Sequence, residues 1–282
     1  MPTPPFPEAD LHAPLRDLGL SIAGTRLEPV LAAFRAELAA AGVTGVEPDF
    51  YLSDEWGVPF PSTAVAIPFY LARPDLTALH AERTGLVEGA TDADLLRYLR
   101  HEVGHVVNYA YKLYDREGWA ARFGPFTRPY PEEYTPRPFS PEYVRHLPGW
   151  YAQKHPDEDW AETFAVWLTP DRDWRAEYRD WPVALAKLEY CDRVMREVGA
   201  KPPLLGAEPA AADADPDADG WDVFALSLAD IYGEDDPEPE PMPGLDAALR
   251  AAFEDVAPLP GGADAEGRLP VGELVRRLGP DV

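Results

Sequence analysis

Apolar positions recur at three- and four-residue steps in several windows of the chain, most clearly over residues 90–114. There Leu95, Leu99, Val103, Val106, Ala110 and Leu113 fall on one stripe, the pattern of a helix that turns one face to a core. Thr91, with Asp94 three residues on, predicts a variant capping box at its start. A shorter stripe of Leu27, Val30, Leu31, Phe34 and Leu38 predicts a helix over 27–41. Helices are also predicted over 157–168, stopped by Thr169-Pro170, and over 180–198, with short terminal ones at 244–253 and 271–278. Residues 49–52 and 64–71 read as strands. Pro68 has no N–H to give to a ladder, which makes the second an edge strand.

Composition divides the chain. Residues 1–200 carry this periodicity and form one domain. Residues 201–243 are dominated by Ala, Asp, Glu and Pro, which predicts an acidic linker broken by one apolar island at 221–232; residues 244–282 form a small helical C-terminal segment. From Lys201 onward there are 19 acidic and 5 basic residues, so more than half of the net charge of −25 lies outside the main domain. A surface this negative repels nucleic-acid phosphates and anionic lipid headgroups, which argues against a nucleic-acid or membrane partner. No apolar run approaches the roughly 18 residues of a membrane span, and no basic segment followed by an apolar run opens the chain. The reading is a cytoplasmic protein. One cysteine, Cys191, excludes an internal disulfide framework and a Cys-rich zinc ribbon, and its apolar helix places it in the core, with Trp174, Trp181 and Tyr190 packing that helix onto the domain.

The first helix also carries His101-Glu102-Val103-Gly104-His105. Histidines four residues apart project from one helical face and can take two corners of a zinc tetrahedron, with Glu102 beside them as a base. A catalytic Zn2+ site needs a third protein ligand and an open position. Residues 157–168 offer Glu158 for that role. Glu162, one turn on, would accept a hydrogen bond from the far nitrogen of a ligand histidine and fix its tautomer. Asp159, Glu162 and His155 are the fallback third ligands. Two acidic runs, at 215–220 and 264–273, each match only half of a calcium-binding loop.

His101-Glu-Val-Gly-His105 followed by Glu158-Asp-Trp-Ala-Glu-Thr-Phe-Ala165 resembles the gluzincin group of zinc metallopeptidases, and within it a bacterial family of zinc-binding metallopeptidases. The resemblance covers roughly residues 90–190. It implies an α+β, zincin-like fold, with a small mixed sheet and its edge strand packed on the active-site helix and a mostly helical C-terminal half. It implies His101, His105 and Glu158 as zinc ligands and Glu102 as general base toward a zinc-activated water, hydrolysing peptide bonds in a peptide or protein substrate. Some gluzincins place a tyrosine shortly before the third ligand, which makes Tyr151 the first candidate for the oxyanion donor, with Tyr143, His146 and Tyr109 as rivals. An extended substrate would add to the strand over 64–71, and the Pro-rich aromatic loop over 124–139 would line or cover the cleft. Two alternatives stay open: a catalytically inactive zinc-binding protein that acts through a protein partner docked on the acidic C-terminal segment, and a non-peptidase zinc hydrolase.

Overall fold

The computed structural model describes residues 6–205 and 223–233. The two terminal helices, the half-matched calcium loops and most of the 201–243 segment lie outside these residues. Among the described residues no helix is long and apolar enough to cross a membrane.

Helix α1 (Leu27–Ala40) buries all five residues of its predicted stripe. Strands β1 (Asp49–Ser53) and β2 (Ala64–Pro68) pair in parallel, Asp49 opposite Ala64 and Ser53 opposite Pro68. The sheet among the described residues is therefore parallel, not mixed. Pro68 closes β2 three residues early, because the chain turns there into a single 3-10 turn at Phe69–Ala72. A last residue needs no N–H for the ladder, so the proline sits where it costs least. β2 has β1 as its one strand neighbour, and its other edge is met at one position by the β1–β2 connection. All five residues of β2 are buried, and Ala66 N–H is given to Gly57 O in the β1–β2 connection.

Helix α2 (Pro74–Thr84) starts on a proline at its first turn and stops at Gly85, whose φ of 75° only glycine adopts without strain. Its pattern escapes notice in the sequence because it buries only Leu76 and Leu79. Helix α3 (Asp92–Ala110) begins where predicted, with the Thr91 hydroxyl accepting Asp94 N–H. It ends at Ala110, four residues before the predicted boundary at 114. Lys112 takes a left-handed conformation, and Leu113 continues the buried face from a 3-10 turn instead. Helix α4 (Pro156–Leu168) is capped by His155, whose ring Nδ1 accepts Asp157 N–H at 3.1 Å. Helix α5 (Pro182–Val198) begins two residues later than predicted, on another first-turn proline.

The main core joins α1, β2, α2, α3, one face of α4 and one face of α5, with Trp119, Trp160, Phe34 and Phe164 fully buried. Each such aromatic or aliphatic side chain contributes on the order of 1.5–3 kcal/mol. Cys191 and Tyr190 lie in this core, while Trp174 and Trp181 pack a second cluster against Val166 and Leu188 on the other side of α5. One part of the predicted linker is not linker. Val223 and Leu228 are buried in the main core, Leu15 N–H bonds Leu226 O at 2.8 Å, and a five-residue helix α6 (Leu228–Tyr232) is held by a Ser227–Asp230 capping box. These residues belong to the apolar island read at 221–232, which buries two side chains in the core.

Helices α3 and α4 run antiparallel in close contact. A Cβ on Gly104 would lie 2.7 Å from Ala161 Cα, so only a glycine permits this approach. Trp160 Nε1 donates to Gly104 O at 2.9 Å and fixes the register. That register decides which carboxylates meet which histidines.

Candidate metal centre

The antiparallel pairing sets His101 opposite Glu162 and His105 opposite Asp157 and Glu158. His101 Nδ1 donates to Glu162 Oε1 at 3.0 Å, and His105 Nδ1 donates to Asp157 Oδ2 at 3.0 Å. A carboxylate only accepts, so both rings carry a proton on Nδ1 and turn Nε2 inward. The two Nε2 atoms are 3.2 Å apart. Glu158 Oε2 lies 3.0 Å from one and 3.3 Å from the other. All three side chains are buried. These three atoms form the group that could hold a metal ion among the described residues. Zinc bonds of about 2.0–2.1 Å at tetrahedral angles separate ligand atoms by about 3.3 Å. The nitrogen and carboxylate donors present therefore fit zinc in both chemistry and spacing.

The surroundings hold these donors in place. Asp157 also accepts Asn108 Nδ2 at 2.7 Å and the Tyr109 hydroxyl. Glu162, fully buried, accepts the backbone N–H groups of His146 and Leu147 at 3.0–3.1 Å. Tyr130 donates to the outer oxygen of Glu158, Oε1, at 2.6 Å. Burial pulls both imidazoliums down, but the carboxylates overcome it: hydrogen bonds to Glu158 and Glu162 raise His101 to about 9, and Asp157 and Glu158 hold His105 well above its usual range. Burial pushes Glu158 up, yet the facing imidazoles hold it well below the ordinary carboxylate range. Glu102 is buried beside them, and its pKa is raised, because burial outweighs the pull of the two histidines. A raised carboxyl is a better proton acceptor toward water.

The predicted residues separate into those brought together and those kept apart. His101, His105, Glu158 and Glu102 converge, and Glu162 meets a histidine as expected. Tyr151 reaches the same place: its ring is 5.5 Å from that of His101 and its hydroxyl 3.3 Å from that of Tyr130. It is delivered by a tight turn in which Gly149 and Trp150 both have positive φ. The rivals are otherwise engaged. The Tyr109 hydroxyl is given to Asp157, the His146 ring donates to Arg97 O at 2.9 Å, and Tyr143 lies beneath Lys187. Of the fallback ligands, His155 caps α4 and donates to Arg128 O, while Asp159 points the other way and pairs with Lys187 at 2.6 Å.

Sequence reasoning missed Asp157 and Tyr130. The first had a signal. If Glu162 serves His101, antiparallel packing puts the partner of His105 about one turn before Glu162, among 157–158. Tyr130 had none, since a loop tyrosine 28 residues from Glu158 looks like any other. The donors face a cavity of about 560 Å³ whose walls include Phe60 from the β1–β2 connection and Phe126, Arg128 and Tyr130 from the loop over 124–139. The loop lines the cleft, as expected. A smaller adjoining cavity of about 250 Å³ adds Glu88 and Tyr98.

Searches of the curated proteins and of the solved structures return no match. Residues 67–176, the span that holds α3, the loop and α4, match the model of a family described as "Putative zinc-binding metallo-peptidase".

Proposed function

We propose that this chain is a zinc-dependent metallopeptidase of gluzincin type, with His101, His105 and Glu158 as ligands. The observation that carries this reading is the convergence of His101 Nε2, His105 Nε2 and Glu158 Oε2 within 3.0–3.3 Å, with the buried Glu102 beside them. Zinc, when bound, supplies a Lewis acid that polarises a scissile carbonyl and makes a water acidic. Glu102 takes a proton from the attacking water and hands it to the leaving amine. Tyr151 donates its hydroxyl to the carbonyl oxygen as negative charge develops there. Its pKa is raised, chiefly by burial, so it keeps its proton for that purpose at neutral pH. Glu162 and Asp157 keep each histidine in the tautomer that presents Nε2.

The test is metal content and hydrolysis measured together. The full chain should hold close to one zinc, Glu158→Ala close to none, and Glu102→Gln should keep the zinc and lose peptide cleavage by about a thousandfold or more. A wild-type chain that binds zinc but cleaves neither denatured proteins nor peptides would remove the peptidase reading and leave the inactive or non-peptidase zinc protein.

A further inference from the structure

In a chain with 50 acidic and 25 basic residues, the large cavity beside the histidines is lined by two cations, Lys154 and Arg128. Lys154 is half-buried one turn past Tyr151. Its ammonium sits over the rings of Tyr130 and Tyr151, 4.6 and 5.2 Å from their centroids, and 3.5 Å from the Tyr151 hydroxyl. Among the described residues no carboxylate oxygen lies within 4.0 Å of either cation. Glu55, on the same cavity wall, feels Lys154 through space without pairing with it. Arg128 is tied to the site through its backbone, whose carbonyl accepts His155 Nε2 at 2.8 Å, and its side chain is exposed.

A half-buried ammonium held on two aromatic faces is already partly stripped of water, so an anion that reaches it gains more than at an open surface. The overall negative charge repels acidic ligands, and Lys154 and Arg128 supply the positive charge on this wall of the cleft. We propose that Lys154 and Arg128 bind a carboxylate of the substrate next to the scissile bond, which makes acidic peptides the preferred substrate class. The proposal rests on the peptidase reading. The carboxylate comes either from an Asp or Glu side chain or from the C-terminus of the peptide. Both offer the same two oxygens to a cation.

The test uses the zinc-loaded, full-length Glu102→Gln chain, so that binding is read without turnover. Calorimetry compares matched peptides that differ only in one carboxylate: Asp against Asn within the sequence, and a free C-terminus against its amide. The acid member of one pair should bind about tenfold tighter, and the pair that shows it identifies the source. Adding Lys154→Gln or Arg128→Gln should pull that ratio toward one, Lys154→Arg should retain it, and Glu55→Gln should widen it by removing the competing charge. Zinc content measured on each variant shows that the fold is kept. Equal binding of acid and amide, a preference that survives both Gln variants, or no peptide binding to a zinc-loaded chain overturns the proposal. Failure of the peptidase reading shows elsewhere, as absence of cleavage by the wild-type chain.

Discussion

Helix α4 holds two kinds of buried charge within six residues. On one face Asp159 meets Lys187, which also donates to Glu142 O at 2.7 Å, and the pair is neutral within the chain. On the other face Asp157, Glu158 and Glu162, joined by Glu102 from α3, surround two histidines whose protons point outward. Four carboxylates against two imidazoles leave this face negative even if both rings are protonated. Burying such a set is costly unless a cation joins it. The first face is closed by a residue of the chain, and the second calls for a divalent ion. The same residue types one helical step apart thus close an ion pair on one side and form a group that could hold a metal on the other.

The largest expected effect breaks the closed face. Lys187→Met leaves Asp159 buried without its cation and should cost about 3–5 kcal/mol in denaturant unfolding, while zinc content stays near one. Adding Asp159→Leu should restore much of that loss. A Lys187→Met chain that loses zinc as readily as stability would show that the two faces are not independent.

Next are the residues that orient the histidines. Glu162→Gln and Asp157→Asn should each lower zinc affinity by about 10–100-fold in chelator competition, with the ligands all present. Unchanged affinity in either variant would reduce that carboxylate to packing.

The histidine face should also respond to pH. Without metal, His101 is raised to about 9, above its unfolded value, so its stabilising contribution is full below about 6.5 and is lost as pH rises through about 9. Zinc must displace that proton, so affinity should climb with pH over the same window, by about tenfold per unit for each proton released. The chelated chain should therefore lose stability from pH 6.5 to 9 while zinc stabilises it more strongly. Thermal unfolding with and without chelator would show the two curves diverging; parallel curves would contradict the displaced proton.

The smallest effect is expected from Tyr130→Phe. It removes the hydrogen bond to Glu158 Oε1 but leaves Oε2 on the metal side, so zinc affinity should fall only by about five- to tenfold.

Much of this centre was legible before folding was considered. The stripe from Leu95 to Ala110 forces a helix, and a helix forces His101 and His105 onto one face, whatever surrounds them. Glu158 and Glu162 follow from the same periodicity on α4. The partners of those residues were less visible, because each depends on how two helices meet. Asp157 finds His105 only in the register set by Gly104 against Ala161, and Tyr130 reaches Glu158 only through the path of a proline-rich loop with no period to read. The same holds for β2. Pro68 marked it as an edge strand, which it is in the two-stranded sheet, but nothing local to residues 64–71 records that Gly57 meets its other edge.

The sequence by itself determined the strongly amphipathic helices, the Thr91 cap and the residue types of the donor set, since these arise from interactions a few positions apart. Only the tertiary structure decided which carboxylate orients which histidine, that Asp159 turns to Lys187, and that Lys154 and Arg128 line the same cavity. Those are contacts between segments far apart in the chain, and the histidine–carboxylate ones are fixed by close packing of α3 on α4, where one absent Cβ sets the distance.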